Sequence, residues 1–361
     1  MVESDRLSIS TASNIDIAGE LAERVRGASA HRAALRIVGG DTKRFYGRRV
    51  EGETLSVSGH RGVLSYDPSE LVITARAGTP IVEIKALLAE HGQMLAFEPP
   101  VFGAASTLGG VVAAGLAGPR RPFAGAVRDF VLGVTVLDGR GDALRLGGTV
   151  FKNVAGFDGF RLMAGVLGCL GVLLDVSLRV TPRPPSERSV SIVEDWSTSK
   201  ARLNGLMRRQ TALSAAMHDG RALHLRFSGS DAGVARAVAE CGGPEVTFAW
   251  ETPSHLRLPL SEDAQLWRLS IPHAGPLPDL TGERLIDWAG SQIWLSTDAA
   301  PSEVRAACVR IGGHATVFRG AERGAEVFTP LAAPLLALHQ RIKAAFDPAG
   351  VFNPGRMYED L

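Results

Sequence analysis

The sequence predicts a soluble mixed α/β chain of two or three compact domains, and three observations carry that reading. Strand-like apolar alternation and helix-like apolar spacing interleave along most of the chain. Three prolines fall within the five residues Thr181–Pro185, the strongest boundary signal present. The 361 residues, with 39 basic and 38 acidic side chains, are enough for sizeable cores.

Taken in order, Ile15, Ile17, Ala18, Leu21, Ala22 and Val25 recur at helical spacing, with Gly27 as the expected stop. Ala34–Val38 reads as a buried strand running into Gly39-Gly40-Asp41-Thr42-Lys43, a tight turn whose amides and hydroxyl suit an anion. Leu71–Ala75 is a strand, and Thr79-Pro80 caps a helix from Ile81 to His91. Asp129–Asp138 is a strand closed by Asp138-Gly139 and answered by Ala143–Leu146, a hairpin; Asp129 is either a cap or a ligand contact. Val172 to Val180 alternates with period two, one face buried and one more polar. Beyond the proline boundary, strands are expected at Ser189–Glu194, Ala222–Phe227, Gln265–Ile271, Gln292–Ser296 and Ala315–Phe318. Helices are expected near Ser199–Ala215 and Ser302–Ile311, together a sheet covered by helices on one face. A last helix spans Leu331–Phe346, and no internal repeat is visible.

Gly103–Arg121 is the most unusual stretch. Gly103, Gly109, Gly110, Gly115 and Gly118 stand among small residues, with Ser106 and Thr107 beside them and no charge before Arg120. Two readings fit: a backbone cradle for a phosphate-bearing cofactor, or a packed segment whose small residues let two layers meet. A membrane span fits poorly, because Pro99, Pro100 and Pro119 bound the run and large apolar side chains are few. No G-x-G-x-x-G follows a strand and no G-x-x-x-x-G-K-[ST] occurs, so neither common nucleotide loop accounts for these glycines.

Composition excludes other classes. A net charge of +1 supplies no field for nucleic acid. Cys169, Cys241 and Cys308 are scattered and never form C-x-x-C, so neither a disulfide framework nor an iron–sulfur or zinc site is encoded. That usage suits a reducing, cytoplasmic compartment. The start, MVESDRLSISTASN, lacks the apolar core of a secretory signal, and Leu162–Leu174 is too short to span a bilayer. His218, His224, His255, His273 and His314 are isolated, without metal-ligand spacing, so no metal is expected.

The order of the motifs, GGDT after a strand, EPPVFGAASTLGG, RDFVLGVTVLDGRG, KNVAGFDGFRLMAGVLGCLGVL, GGHATVFR and FDPAGVFNP, resembles the FAD-binding proteins of the vanillyl-alcohol oxidase or PCMH type, and within them the glycolate oxidase FAD-binding subunits. The resemblance implies an α+β fold: a PCMH-type FAD-binding domain of two α/β subdomains over 1–182, a smaller ferredoxin-like cap over 186–320, and a returning segment over 321–361. It implies that Gly39, Gly40, Asp41, Thr42 and Lys43, with Gly103, Ser106, Thr107, Gly109 and Gly110, cradle the FAD pyrophosphate. Arg121, Gly125, Asp129, Gly168, Gly171 and Val172 are then expected along the ribityl and adenine portions, and Lys152 and Asn153 nearer the isoalloxazine. It also implies a small 2-hydroxy acid as substrate and, as partners, a second flavin subunit and an iron–sulfur subunit. Membrane contact is expected only through those partners, at the inner membrane.

Two departures from the family pattern shape the expectation. Members that tether FAD covalently use a His or Cys in the first glycine loop, where this chain has Asp41 and Thr42, so the FAD is expected to be non-covalent. The HxGDGNxH metal motif of related D-2-hydroxyacid dehydrogenases is missing. Oxidising a 2-hydroxy acid needs a base and a cation for the carboxylate, and Lys152, His314 and Arg319 are the candidates. Two flavin readings follow: a subunit that oxidises substrate itself, or one that only holds FAD or relays electrons. A non-flavin binding module remains if the glycines are packing devices.

Overall fold

Buried Leu21, Ala22, Val25 and Ala28 draw the apolar stripe of helix α1 (Ala18–His31) onto the core. The computed structural model describes residues 14–148, 158–209, 212–256, 258, 260, 261, 264–320 and 325–361. Gly27 does not end α1 as expected; the helix runs another turn to His31 and closes at Arg32 in the left-handed region. The chain divides into two units. One comprises the chain to Leu116, Ala126–Pro182 and Pro330–Leu361; the other comprises Ala117–Gly125 and Arg183–Thr329.

In the first unit β1 (Leu35–Val38) and β2 (Glu53–Ser56) form a parallel pair. β3 (Val63–Asp67), β4 (Val72–Arg76), β6 (Val131–Leu137), β7 (Ala143–Gly147) and β8 (Val172–Arg179) form an antiparallel sheet ordered β3-β4-β8-β6-β7. A two-residue pairing of β5 (Gln93–Met94) with β9 (Thr181–Pro182) accompanies it. β8 lies in the middle, so both its faces are covered: Val172, Val176 and Leu178 are fully buried, and Ser177 on the other face is buried too and bonds the Thr74 hydroxyl at 2.9 Å. Before α2 (Ile81–Glu90), Thr79 is not the cap it was expected to be. Its hydroxyl accepts the Gly62 amide at 2.9 Å, and Pro80 takes the cap position. Asp129 proves to be a cap, accepting the Ala126 amide at 2.8 Å at the start of the short turn Val127–Phe130.

The long glycine stretch is not one element. Helix α3 (Leu108–Ala114) is capped by the Thr107 hydroxyl and stopped by Gly115 at φ +62. Residues 117–125 then belong to the second unit, where the Gly118 carbonyl accepts the Trp288 indole N–H at 3.1 Å and Arg120 pairs with Glu187 at 2.8 Å.

In that second unit β10 (Ser186–Val193), α4 (Trp196–Arg208), β11 (Leu213–His218), β12 (Ala222–Gly229), α5 (Asp231–Cys241) and β13 (Glu245–Val246) precede β14 (Gln265–Ser270), β15 (Glu283–Asp287), β16 (Gln292–Thr297), α6 (Pro301–Arg310) and β17 (His314–Arg319). The expected helix to Ala215 stops at Arg208, because Leu213–His218 is wholly buried as a strand paired with β12. The eight strands run antiparallel in the order β13-β10-β12-β11-β15-β16-β14-β17. Read outward from the His218–Ile286 pair, both halves have the same arrangement, the ferredoxin-like order of a β-α-β-β-α-β unit, with the loop 271–282 replacing the first helix of the second half. This repeat is invisible in the sequence because it is carried by apolar alternation rather than by shared residues. Helix α7 (Ala333–Phe346) returns the chain to the first unit.

Candidate functional site

Four segments distant in sequence meet in the first unit: the end of β1 with its Gly-Gly turn, α3, the turn at Leu167-Gly168, and the C-terminal loop. They line a cavity of about 100 Å³ bounded by Arg36 to Arg44, Val50, Thr107, Gly110, Ala113, Ala114, Leu167, Asn353 and Arg356. A second cavity of about 70 Å³ continues from it, sharing Ile37, Gly39, Thr107, Gly110, Ala113, Leu167 and Asn353 and adding Gly109, Gly168 and Leu173 among others. The two adjoin through these shared walls and are together called the groove below.

The turn is held in an anion-ready shape. Asp41 sits at φ +52, a left-handed residue after two glycines, the kind of bend in which neighbouring amides can serve one anion. Among the described residues the amides of Gly39, Gly40, Asp41, Thr42 and Lys43 donate to no acceptor. Five amides at one bend without an internal acceptor are left for water or a ligand. The negative side chain here is neutralised: Arg36 grips both oxygens of Asp41 at 3.1 and 3.0 Å. Lys43 supplies positive charge. Burial lowers its pKa to about 8, and its ammonium lies 5.8 Å from the Phe102 ring.

Close packing sets the position of the turn. A methyl on Gly39 would lie 2.2 Å from the Thr107 hydroxyl oxygen, and one on Gly40 1.6 Å from the Ala105 carbonyl. Thr42 and Ser106 share a hydroxyl hydrogen bond of 2.9 Å. The glycines are therefore packing devices and a donor nest at once. Gly109 is fully spent on packing, its amide bonded to Ala77 and its missing side chain facing that residue.

The C-terminal loop completes the site. The Arg356 guanidinium donates to the carbonyls of Arg48 at 2.8 Å, Tyr46 at 2.6 Å, Lys43 at 3.2 Å and Arg44 at 3.4 Å, binding the 43–48 segment as a unit. Asn353 accepts the Ile37 amide at 2.9 Å and donates to the Leu167 carbonyl at 2.7 Å, joining β1 to the second glycine-rich segment. Beneath them Lys343 donates to Asp347 at 2.7 Å, to the Phe352 carbonyl at 2.7 Å and to the Cys169 carbonyl at 2.8 Å, all buried.

Of the residues singled out in the sequence, Gly39, Gly40, Asp41, Thr42, Lys43, Thr107, Gly109, Gly110 and Gly168 line the groove. Gly103 and Ser106 support it from behind, Ser106 through Thr42. Asp129 is a helix cap facing Arg161 at 3.5 Å, while Gly171 packs on Val136 and Val172 is buried in β8. Arg121 and Gly125 belong to the second unit, where Arg121 stacks 4.2 Å from the Trp288 ring. Lys152 and Asn153 lie outside the described residues. His314 and Arg319 stand at opposite ends of β17, about 17 Å apart along an extended strand, so the structure does not bring them together. Arg36, Asn353 and Arg356 went unread. The one available signal was the turn-rich NPGR tail.

Three of the histidines are bonded within the second unit: His218 reaches the Glu194 carbonyl at 2.9 Å, His224 lies between Ser191 and Asp219, and His273 meets Asn204 at 3.0 Å. Among the described residues no group of three His, Cys, Asp or Glu can hold a metal.

The groove suits a dinucleotide such as the FAD implied by the sequence: amides and Lys43 for a diphosphate, apolar Ile37, Ala113 and Leu167 for a ring. A pH dependence follows. Lys43 titrates near 8 in the free protein, and a bound diphosphate raises that value. Affinity is then full below pH 8 and falls, by up to about tenfold per pH unit, as Lys43 loses its proton. Titration of FAD between pH 6.5 and 9.5 checks this, and Lys43→Met should flatten the profile.

A family model described as FAD binding domain matches residues 16–147, and one described as FAD linked oxidases, C-terminal domain, matches 311–357. The chain is 45% identical over 348 residues to the glycolate oxidase subunit GlcE of Escherichia coli, covering 96% of this chain and 99% of that one. It is 30% identical over 129 residues to the glycolate oxidase subunit GlcD of Bacillus subtilis, 36% of this chain and 27% of that one. Among solved structures an alkyldihydroxyacetonephosphate synthase superposes with a TM-score of 0.67 at 14% identity, over 95% of this chain and 76% of that one, which shows a shared fold.

Proposed function

The chain belongs to the GlcE family of glycolate oxidase subunits, within the PCMH-type FAD-binding proteins, and from that premise we propose that it is the FAD-binding subunit of a glycolate oxidase or related 2-hydroxyacid dehydrogenase. The observation that carries this reading is the bend of five unspent amides beside Lys43, shaped for a diphosphate. When bound, FAD supplies the acceptor for the hydride of a 2-hydroxy acid. The chain's own residues do the holding. The amides of Gly39 to Lys43 and the Lys43 ammonium neutralise the diphosphate, Arg36 keeps the Asp41 carboxylate occupied, and Arg356 fixes the loop that carries Lys43. The flavin is non-covalent in this reading, because the first glycine loop, Gly39 to Lys43, carries neither His nor Cys.

The relative's name makes this one subunit of a multi-subunit enzyme, and a second flavin subunit and an iron–sulfur subunit are the partners we propose to carry electrons onward. Among the described residues no helix is long and apolar enough to cross a membrane.

A second reading, in which the chain holds FAD while a partner oxidises the substrate, is favoured by the separation of His314 from Arg319. Anaerobic addition of glycolate to the FAD-loaded chain tests both. Bleaching of the flavin supports oxidation on this chain, whereas bleaching only after the partners are added supports the second reading. A chain that takes up no FAD overturns both.

A further inference from the structure

We infer that Lys43 is the site of a reversible covalent modification: in the flavin-free chain its amine forms an imine with the 2-oxo acid that oxidation of a 2-hydroxy acid releases, so that the product competes with FAD for the groove. The inference rests on the functional reading above for the identity of that acid, which for glycolate is glyoxylate, an aldehyde with a carboxylate on the next carbon. Such a molecule needs an amine for its carbonyl carbon and, close by, donors for its carboxylate. Both occur in the cavity of about 100 Å³ walled by Arg36 to Arg44: Lys43 lines it, and among the described residues the amides of Gly39 to Lys43 donate to no acceptor. Lys43 is half-buried, and among the described residues its nitrogen makes no hydrogen bond or ion pair, with the Phe102 ring 5.8 Å away. The charged residues that share the cavity with it are Arg36, Asp41, Arg44 and Arg356. Asp41 is held by Arg36, so no carboxylate competes for the amine, and the excess of cations favours an incoming carboxylate.

The step balances without a further reactant. The lone pair of the neutral Lys43 Nζ attacks the carbonyl carbon, a C–N bond forms, and the carbonyl oxygen leaves as water with the two amine protons; hydrolysis reverses it. Desolvation supplies the neutral amine. Burial lowers the Lys43 pKa to about 8, so near pH 8 about half of it is uncharged, against less than about 1% of an ordinary lysine. FAD retains the proton that the imine must lose, so the product competes better as pH rises. The chain has five lysines, Lys43, Lys85, Lys152, Lys200 and Lys343. Lys200 is spent on the Gly275 carbonyl, and Lys343 on Asp347 and two carbonyls. A modification at Lys43 is therefore readily mapped.

Incubating the full-length, flavin-stripped chain with glyoxylate and cyanoborohydride, which reduces an imine to a stable carboxymethyl-amine, tests the site by peptide mass mapping. Nα-acetyllysine amide in the same tube is the reference. At pH 7.5 Lys43 should be carboxymethylated at least about tenfold faster than the reference, with a rate that climbs to pH 8 and then levels off. Saturating FAD should abolish the labelling. Glyoxylate should raise the apparent Kd for FAD several-fold in the wild type, and glycolate, which has no carbonyl, should not. Lys43→Arg keeps a cation but forms no imine, so its FAD affinity should ignore glyoxylate; if that variant misfolds, the peptide map of the wild type still decides. Labelling of Lys43 no faster than the reference, labelling undiminished by FAD in a chain that binds it, or equal competition by glycolate overturns the inference. Failure to take up FAD counts against the flavin reading, while the peptide map still decides the imine.

Discussion

Gly40→Ala is expected to yield protein that takes up FAD at least about 100-fold more weakly than wild type, the scale of loss that follows an ångström-sized displacement in a binding site. The added methyl would lie 1.6 Å from the Ala105 carbonyl oxygen, and backbone on both sides leaves no flexible neighbour to yield. Either the 39–43 turn or the 103–107 segment must move by more than an ångström, and the amides then no longer converge. Gly27→Ala provides the control. A methyl there meets nothing within 4 Å in the middle of α1, so FAD binding should be unchanged and the helix stabilised by up to about 1 kcal/mol. FAD titration followed by flavin fluorescence checks both variants.

The second large effect is expected in the foundation of the site. Lys343 and Asp347 are buried one turn apart, and between them they bond the Phe352 and Cys169 carbonyls and the Val351 and Phe352 amides. This network holds the loop that carries Asn353 and Arg356. Removing one partner leaves a buried charge uncompensated, so Lys343→Met or Asp347→Ala should cost about 3–5 kcal/mol in denaturant unfolding. Changing both together should cost less than the sum, because no lone charge remains. FAD affinity should fall in parallel, since Arg356 would no longer fix the carbonyls of the 43–48 segment.

Local chemistry made half of this site legible in the sequence. A strand ending in Gly-Gly-Asp-Thr-Lys, and small residues at Gly103–Gly110, announce close backbone approach, because turn preferences act over a few residues. The other half depends on contacts across more than three hundred residues. Nothing in NPGR announces that Arg356 will bind four carbonyls near Lys43, or that Asn353 will bond Ile37. The stretch Gly103–Arg121 read as one element because its composition is uniform. Tertiary partners divide it: Gly115 stops α3, and beyond it Phe123 packs into the second unit's core. Gly27 differs for the opposite reason, since the roughly 1 kcal/mol that a mid-helix glycine costs is outweighed when the buried stripe continues to Ala28. In the second unit, single residues in recognisable motifs drew attention to His314 and Arg319, whereas the strand places them at its two ends.

Hydrogen–deuterium exchange of the whole chain, with and without FAD, measures the central claim most directly. Among the described residues the amides of Gly39 to Lys43 have no acceptor, so they should exchange fast in the free protein and become strongly protected when FAD binds. The already bonded amides of Gly109 and Val111 should change little. Protection confined to other segments, with 39–43 still exchanging freely in the FAD-loaded chain, would contradict the account.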